Sequence, residues 1–239
     1  MLCWFGMNGL LLIDKPLNWT SFDVVNKVRR LIEQSGFRTG NKKRFPVGHT
    51  GTLDPLATGL LVLVLGEYCK RATEFSKLDK TYETVMRLGI NSSTGDEEGE
   101  KTSVSDVRPM PEDIAFALSK FTGDIMQTPP AFSAMKVNGQ RAYKLARSGQ
   151  AVELAARPTR IESLELTGYE YPNVHFTAHV GSGTYIRSLV EDIGKHLGTG
   201  AYMSGLRRTK VGAWKLDDAL SMEDISAEQI AQVLREAPE

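Results

Sequence analysis

Residues 47–59 read VGHTGTLDPLATG and place one acidic residue, Asp54, among small and conformationally special residues. Glycines let the backbone come close to a ligand, and Pro55 fixes the chain directly after the acid. A carboxylate in a tight, apolar loop lowers stability unless it is paired, and proteins usually keep such strain at functional sites. The residues alone leave two interpretations open. Asp54 is either a functional carboxylate or a turn residue that caps nearby amides.

The composition is that of an ordinary globular protein. The chain has 239 residues, of which 41% are hydrophobic and 24% are charged. Its longest apolar run, residues 59–66, is too short to cross a bilayer and fits a buried strand. Cys3 and Cys69 lack the spacing of a disulfide framework or a zinc site, and the first residues lack the pattern of a signal peptide. The sequence therefore predicts a cytoplasmic protein.

The charges are segregated along the chain although the net charge is zero. Residues 27–49 contain seven lysines and arginines against one acid, and residues 136–160 contain six against one acid. Arg207, Arg208 and Lys210 form a third basic cluster. One such run is usually a solvated face, but three runs permit a basic surface on a neutral protein and favour a polyanionic partner.

Strand-like and helix-like patterns mix along the chain without strict βαβ alternation, which predicts the α+β class. Helical periodicity predicts a helix that begins near Thr20, where Thr20 and Asp23 match a capping box. Further helices are predicted over residues 67–75, 111–121, 184–197 and 222–234. Strands are predicted over residues 9–13, 60–65, 82–88, 160–169, 174–180 and 211–214, and residues 91–105 are predicted to form an acidic loop.

Several blocks of the sequence resemble, in order, the motifs of the TruB family, the tRNA pseudouridine(55) synthases. Residues 48–55 (GHTGTLDP) resemble its catalytic signature, and residues 11–16 (LLIDKP) resemble its first motif. The other matching blocks are residues 80–82 (KTY) with 88–89, 129–139 (PPAFSAMKVNG), 183–189 (GTYIRSL) and 206–209 (LRRT). Because the blocks keep the family order from residue 11 to residue 209, the resemblance is specific.

The resemblance implies the pseudouridine synthase fold, a central mixed and largely antiparallel sheet flanked by helices. A thumb-like RNA-binding insertion is expected at residues 128–150. We expect a single catalytic domain over residues 1–239, with residues 1–7 disordered, Met7 as an alternative start and an acidic helical tail over 217–239. The chain ends soon after Leu216, so no C-terminal RNA-binding PUA domain is expected. The loop 36–46 is longer and more basic than the family pattern.

The resemblance also implies a reaction, the isomerisation of uridine to pseudouridine at position 55 in the T-loop of tRNA. Asp54 would be the nucleophile. Arg187 would pair with Asp54 and keep it ionised, although the position alone would also suit a helix-surface arginine. Tyr82 would stack on the target uracil, whereas a strand tyrosine is otherwise a core residue.

Substrate contacts follow from the same resemblance. Tyr185 and Leu206 would line the uracil pocket, and His49 would contact the RNA where the target base leaves its stack. Lys15 would support the active-site loop or a phosphate. The enzyme must flip the target uridine out of a folded loop, which costs a few kcal/mol.

The expected partner is the T-arm of tRNA, with no membrane, no metal and no cofactor, since the isomerisation is redox-neutral. We expect a monomer. The alternative is a non-catalytic tRNA-binding protein or tRNA-folding chaperone, which explains the basic segments but not the set Asp54, Tyr82 and Arg187. A third reading, an aspartate-based hydrolase, would require a second acid–base group or a metal cluster, and the sequence offers neither.

Overall fold

The computed structural model describes residues 7–36, 44–133, 135–137, 139–142, 145, 148, 150, 154–223 and 225–236. The chain forms two compact units, Met1–Lys80 with Arg207–Glu239, and Thr81–Leu206. The expectations for residues 1–6, for residues 37–43 of the basic loop and for much of the thumb segment lie outside the described residues.

The described residues form the following elements. The α-helices are α1 (Ser21–Gln34), α2 (Ala72–Ser76), α3 (Pro111–Lys120), α4 (Ile186–His196) and α5 (Ala227–Val233), and Gly66–Arg71 and Leu216–Asp218 form 3-10 helices. The first strands are β1 (Gly9–Lys15), β2 (Val47–His49), β3 (Thr58–Leu65), β4 (Lys80–Leu88), β5 (Ile90–Ser92), β6 (Lys101–Ser103) and β7 (Gly123–Gln127). The remaining strands are β8 (Lys136–Val137), β9 (Gln140–Arg141), β10 (Arg157–Glu170), β11 (Asn173–Val180), β12 (Ala201–Val211), β13 (Trp214–Lys215) and β14 (Leu220–Ser221).

The sheet of the first unit is built around β3. Strand β1 lies antiparallel to β3 from Gly9 opposite Leu65 to Lys15 opposite Gly59, and β14 lies parallel to β1. On its other side β3 pairs in parallel with the last part of β12. The apolar sequence of β3 is continuous because nearly all of the strand is buried. The first unit contains a cluster of buried hydrophobic residues, formed by Leu10, Leu12, Leu60, Val62, Val64, Phe75, Val211 and Trp214.

Helix α1 begins as its sequence predicts. Thr20 is the N-cap and accepts a hydrogen bond from the Asp23 backbone, while the Asp23 side chain accepts one from the Thr20 backbone. The helix buries a stripe at helical spacing, formed by Val24, Val25, Val28 and Ile32. Ser21, its first residue, is also buried.

The second unit contains a set of largely antiparallel strands. Strand β10 lies antiparallel to β11 on one side and to β7 on the other, and β4 follows β11 in the strand order. Strand β4 alternates buried and more exposed residues. Helix α3 begins at Pro111, and α4 buries Ile186, Leu189, Val190 and Ile193.

The α+β class and the mixed, largely antiparallel sheet are confirmed. Several details differ from the predicted elements. The acidic loop contains the hairpin of β5 and β6. The predicted strand over residues 211–214 is instead a hairpin in which Val211 ends the longer strand β12 and Trp214 begins β13. Strand β7 has no counterpart in the prediction. Within the described residues of the segment 217–239, the α-helix covers only Ala227–Val233, and β14 pairs with β1. Among the described residues, every helix is too short or too polar to span a bilayer.

Candidate active site

Asp54 lies in the loop between β2 and β3. In the preceding residue, Leu53, both the backbone amide and the backbone carbonyl form hydrogen bonds with the side chain of Ser21. The Leu53 amide donates to Ser21 Oγ at 2.8 Å, and Ser21 Oγ donates to the Leu53 carbonyl at 2.9 Å. The Asp54 carbonyl accepts from the amide of Ala57 at 3.1 Å. The half-buried Asp54 therefore sits on a loop with fixed backbone positions.

Lys15 lies at the end of β1 and is completely buried. Its ammonium donates to the carbonyl oxygens of Pro16 (2.9 Å), Trp19 (2.6 Å) and Pro55 (3.2 Å). Burial lowers the pKa of Lys15 to about 8, while the nearby Asp54 carboxylate acts in the opposite direction. Lys15 is therefore bonded to the residue that follows Asp54 and interacts electrostatically with Asp54 itself.

Arg208 is a second buried cation beside the same loop, with 2% of its surface exposed. Its Nε donates to the Leu60 carbonyl at 2.7 Å, and its Nη2 donates to the Gly51 carbonyl at 3.0 Å. Arg207 is half-buried and pairs with Asp14 at 2.7 Å. The prediction that both arginines belong to a basic cluster on the surface is wrong for Arg208, whose donors are directed into the protein.

His49 ends β2 opposite Leu63 of β3. Its Nδ1 is buried and has no hydrogen-bond partner among the described residues. Burial, with a smaller effect of the Arg208 charge, lowers the pKa of His49 from its ordinary value. The imidazole is therefore neutral at neutral pH.

In the second unit, Arg187 lies in the first turn of α4 and is buried. Its Nη1 donates to Asp96 Oδ2 at 3.2 Å and to the Thr94 carbonyl at 3.1 Å, and its Nη2 donates to the Phe132 carbonyl at 2.8 Å. Asp96 also accepts from the Glu98 amide at 3.1 Å. The sequence gives no signal for Asp96, because nothing in an acidic run distinguishes its one buried carboxylate.

The other predicted contacts of the second unit lie on three elements. Tyr82 is buried on β4. Tyr185 is the residue before α4, where its amide donates to Gln127 Oε1 at 2.8 Å and its carbonyl accepts from Gln127 Nε2 at 3.0 Å. Leu206 is half-buried on β12.

The structure thus collects Lys15, His49 and Asp54 in the first unit, and it adds Ser21 and Arg208, which the sequence analysis had not assigned to the site. The other four predicted residues, Tyr82, Tyr185, Arg187 and Leu206, belong to the second unit. The pairing of Arg187 with Asp54 stays a prediction. Among the described residues there is no group of three or more histidine, cysteine or acidic residues that could hold a metal ion.

Comparison with known proteins identifies the family of the chain. Residues 38–186 match the family model of the TruB family pseudouridylate synthase N-terminal domain, and residues 187–237 match that of the tRNA pseudouridylate synthase B C-terminal domain. The chain is 44% identical over 225 residues to tRNA pseudouridine synthase B of Ralstonia nicotianae, covering 92% of this chain and 68% of that protein. It is 43% identical over 220 residues to the protein of the same name from Pseudomonas aeruginosa, covering 92% and 69%.

Solved structures share the fold. A Cbf5–Nop10–Gar1 complex matches with a TM-score of 0.71 and 26% identity, over 96% of this chain and 60% of that chain. An H/ACA RNP bound to a substrate RNA containing 2'-deoxyuridine matches with a TM-score of 0.65 and 26% identity, over 91% of this chain and 52% of that chain. The chain therefore spans only about half to three fifths of these larger proteins. With family models matching most of its length and curated relatives above 40% identity, the chain belongs to the TruB family of pseudouridylate synthases.

Proposed function

We propose that this chain converts uridine to pseudouridine at position 55 in the T-loop of tRNA, with Asp54 as the nucleophile. The relatives from Ralstonia nicotianae and Pseudomonas aeruginosa are named tRNA pseudouridine synthase B, which supports tRNA as the substrate. The observation that carries the role of Asp54 is its loop, in which both flanking residues are hydrogen-bonded to residues 15–21. A carboxylate held in this way is pre-organised for attack.

The proposed reaction balances without an oxidant, a reductant or a cofactor. The bond from uracil N1 to the ribose carbon C1' breaks, the base turns, and a bond from C5 to C1' forms. C5 loses its proton and N1 gains one. A carboxylate can assist by adding to the base or by trapping the sugar carbon, and either route requires Asp54 to be ionised.

Arg187 is the proposed cation for Asp54. Its guanidinium is already fixed by Asp96 and by two carbonyl oxygens, so part of the entropy of ordering a long side chain is already lost. A cation close to Asp54 would stabilise the negative charge of the nucleophile. Tyr82, Tyr185 and Leu206 are the proposed lining for the flipped uracil.

Phosphate contacts would position the RNA, and base and shape contacts would select it. We propose that the basic loop 36–45 and the thumb segment 128–150 supply the phosphate contacts. We also propose that the protein acts in the cytoplasm as a monomer.

The test is to map pseudouridine chemically on unmodified tRNA after incubation with the purified protein. Pseudouridine is expected at position 55 in full-length tRNA and in an isolated T-arm hairpin, and not in a tRNA with cytidine at that position. Pseudouridine at another position would contradict the proposed specificity. Binding of tRNA without any pseudouridine would favour the non-catalytic tRNA-binding protein.

A further inference from the structure

Ser21 makes an unusual pair of hydrogen bonds for a single hydroxyl group. Its Oγ accepts from the Leu53 amide at 2.8 Å and donates to the Leu53 carbonyl at 2.9 Å, across a sequence separation of 32 residues. A serine hydroxyl has one donor and can accept as well, so this side chain bonds to both polar groups of one backbone residue. Both Ser21 and Leu53 are buried.

The location of Leu53 gives these bonds their importance. Leu53 lies between β2 and β3, and no strand of the described part of the chain bonds to its amide or carbonyl. Buried backbone groups without partners are strongly unfavourable. The Leu53 carbonyl belongs to the same peptide unit as the Asp54 amide, so its direction sets the plane from which the Asp54 side chain extends.

The other side of Asp54 is held by the same part of the chain. The Pro55 carbonyl accepts from the Asn18 amide at 2.9 Å and from Lys15 Nζ at 3.2 Å. Both neighbours of Asp54 are therefore bonded to residues 15–21. Ser21 is itself rigid because it is the first residue of α1, whose capping box and buried stripe fix the helix.

We infer that Ser21 is a positioning residue for Asp54, and that its hydroxyl orients the Leu53–Asp54 peptide for attack on the substrate. This inference rests on the proposed role of Asp54 as the nucleophile. Ser21 would not touch the RNA. Its loss would displace the carboxylate by a fraction of an ångström and leave RNA binding intact, and displacements near 1 Å lower rates by up to about 100-fold.

The test compares Ser21→Ala with Ser21→Thr, which keeps the hydroxyl, and with Thr20→Ala, which removes the α1 N-cap but leaves Ser21 in place. Each variant is assayed for the single-turnover rate of pseudouridine formation at saturating tRNA, for tRNA affinity and for thermal unfolding. Ser21→Ala is expected to lower the rate about tenfold or more with tRNA affinity within about twofold of wild type. Ser21→Thr is expected to recover most of the rate, and Thr20→Ala to lose stability without a comparable loss of rate.

Several results would overturn the inference. A wild-type rate in folded Ser21→Ala would do so, and so would an equal loss of rate in Thr20→Ala, because the effect would then come from helix stability. If Ser21→Ala does not fold, Ser21→Cys replaces it, since a thiol has similar size but bonds weakly; a wild-type rate in that variant would also reject the inference. If the wild-type protein forms no product, the result instead rejects the proposed function, on which the inference about Ser21 rests.

Discussion

Lys15 and Arg208 are buried cations that donate hydrogen bonds to carbonyls of the loop that carries Asp54, Lys15 to Pro55 and Arg208 to Gly51. Burying a charge is unfavourable unless hydrogen bonds and opposite charges compensate it, and the pKa of Lys15, lowered to about 8, reflects this penalty. Sequence reasoning could find Lys15 and Asp54 because both lie in family motifs. It could not find Ser21 or Asp96, because their partners lie 32 and 91 residues away and only the folded chain brings them together.

Because Arg187 and Asp96 form a buried ion pair, we expect Arg187→Met to lower the stability of the protein strongly. The substitution leaves Asp96 buried without this cation, so the free energy of unfolding should fall by about 3–5 kcal/mol. Pseudouridine formation should also be lost, because the proposed partner of Asp54 is gone. Urea unfolding and product mapping check the two effects.

The matched control is Arg160→Met in the same unit. Arg160 is 59% exposed and pairs with Asp124 and Glu162 at the surface, where an ion pair contributes about 0–1 kcal/mol. Equal losses of stability in the two variants would show that burial of the Arg187 pair has no special importance. A folded Arg187→Met protein with wild-type activity would reject the proposed pairing with Asp54.

His49 predicts a dependence of stability on pH. Its pKa is lowered in the folded protein, so the unfolded chain binds a proton more readily once the pH falls below the ordinary imidazole value. Stability is therefore fully present above that value and decreases as the pH falls through it towards the folded-state pKa. Between about pH 7.5 and pH 5.5, the free energy of unfolding should fall more for the wild type than for His49→Asn. Parallel curves for the two proteins would contradict the burial of a neutral His49.

The elements differ in how well their sequences identify them. Helix α1 is predicted because its cap and its apolar stripe are local signals. Most of strand β12, with the sequence AYMSGLRRTKV, is not predicted, because its arginines indicate a basic cluster and not a strand. In the structure Arg208 is buried and donates to carbonyls of other segments. The hairpin of β5 and β6 was missed because its strands are short and polar, so no hydrophobic alternation marks them.

Gly59 lies opposite Arg208 in the parallel pair of β3 and β12. We therefore expect any replacement of Gly59 to lower the stability of the protein. Gly59 has a φ of +98°, and a Cβ added there would lie 2.3 Å from the backbone carbonyl oxygen of Arg208 and 2.8 Å from the backbone nitrogen of the same residue. Gly59→Ala therefore combines left-handed strain of about 1–2 kcal/mol with an overpacking penalty of about 1–3 kcal/mol. Denaturant unfolding should reveal the summed loss.

Gly36→Ala is the control for this strain. Gly36 has a φ of +88°, but a Cβ there would meet no atom of the described residues within 4 Å. Its replacement should lower the free energy of unfolding by the strain alone, about 1–2 kcal/mol. If Gly59→Ala is no worse than Gly36→Ala, the close approach of β3 to β12 does not constrain the fold.

On the scale of the whole molecule, a chain of net charge zero must bind a polyanion through the distribution of its charges. Arg208 is buried and therefore cannot belong to a basic surface. The segments 36–45 and 128–150 remain the proposed grip, that is, the segments that would contact the tRNA phosphates. The sequence predicted the segregation of charge but could not separate phosphate-binding cations from those bonded inside the protein. Arg29 is an example, since it donates to the Phe45 and Val47 carbonyls.

The proposed grip predicts a change in the salt dependence of tRNA binding. Each phosphate contact releases counterions, so the logarithm of the affinity should fall linearly with the logarithm of the salt concentration. Replacing Lys42, Lys43 and Arg44 together with alanine should weaken binding and flatten this slope, but hardly change the single-turnover rate at saturating tRNA. Alanine at the exposed Lys70, Lys77 and Lys195 is the control. Identical slopes for the two triple variants would mean that the loop is only a solvated insertion.

The account depends most on Asp54 as the nucleophile, and Asp54→Asn tests this directly. Asparagine keeps the size of the side chain and can accept hydrogen bonds, but it lacks the nucleophilic charge. The measurement is pseudouridine at position 55 of tRNA under single-turnover conditions, with tRNA affinity and thermal unfolding measured on the same preparations. A folded variant that binds tRNA and forms no pseudouridine is the predicted result. Pseudouridine formed by that variant at the wild-type rate would contradict the account.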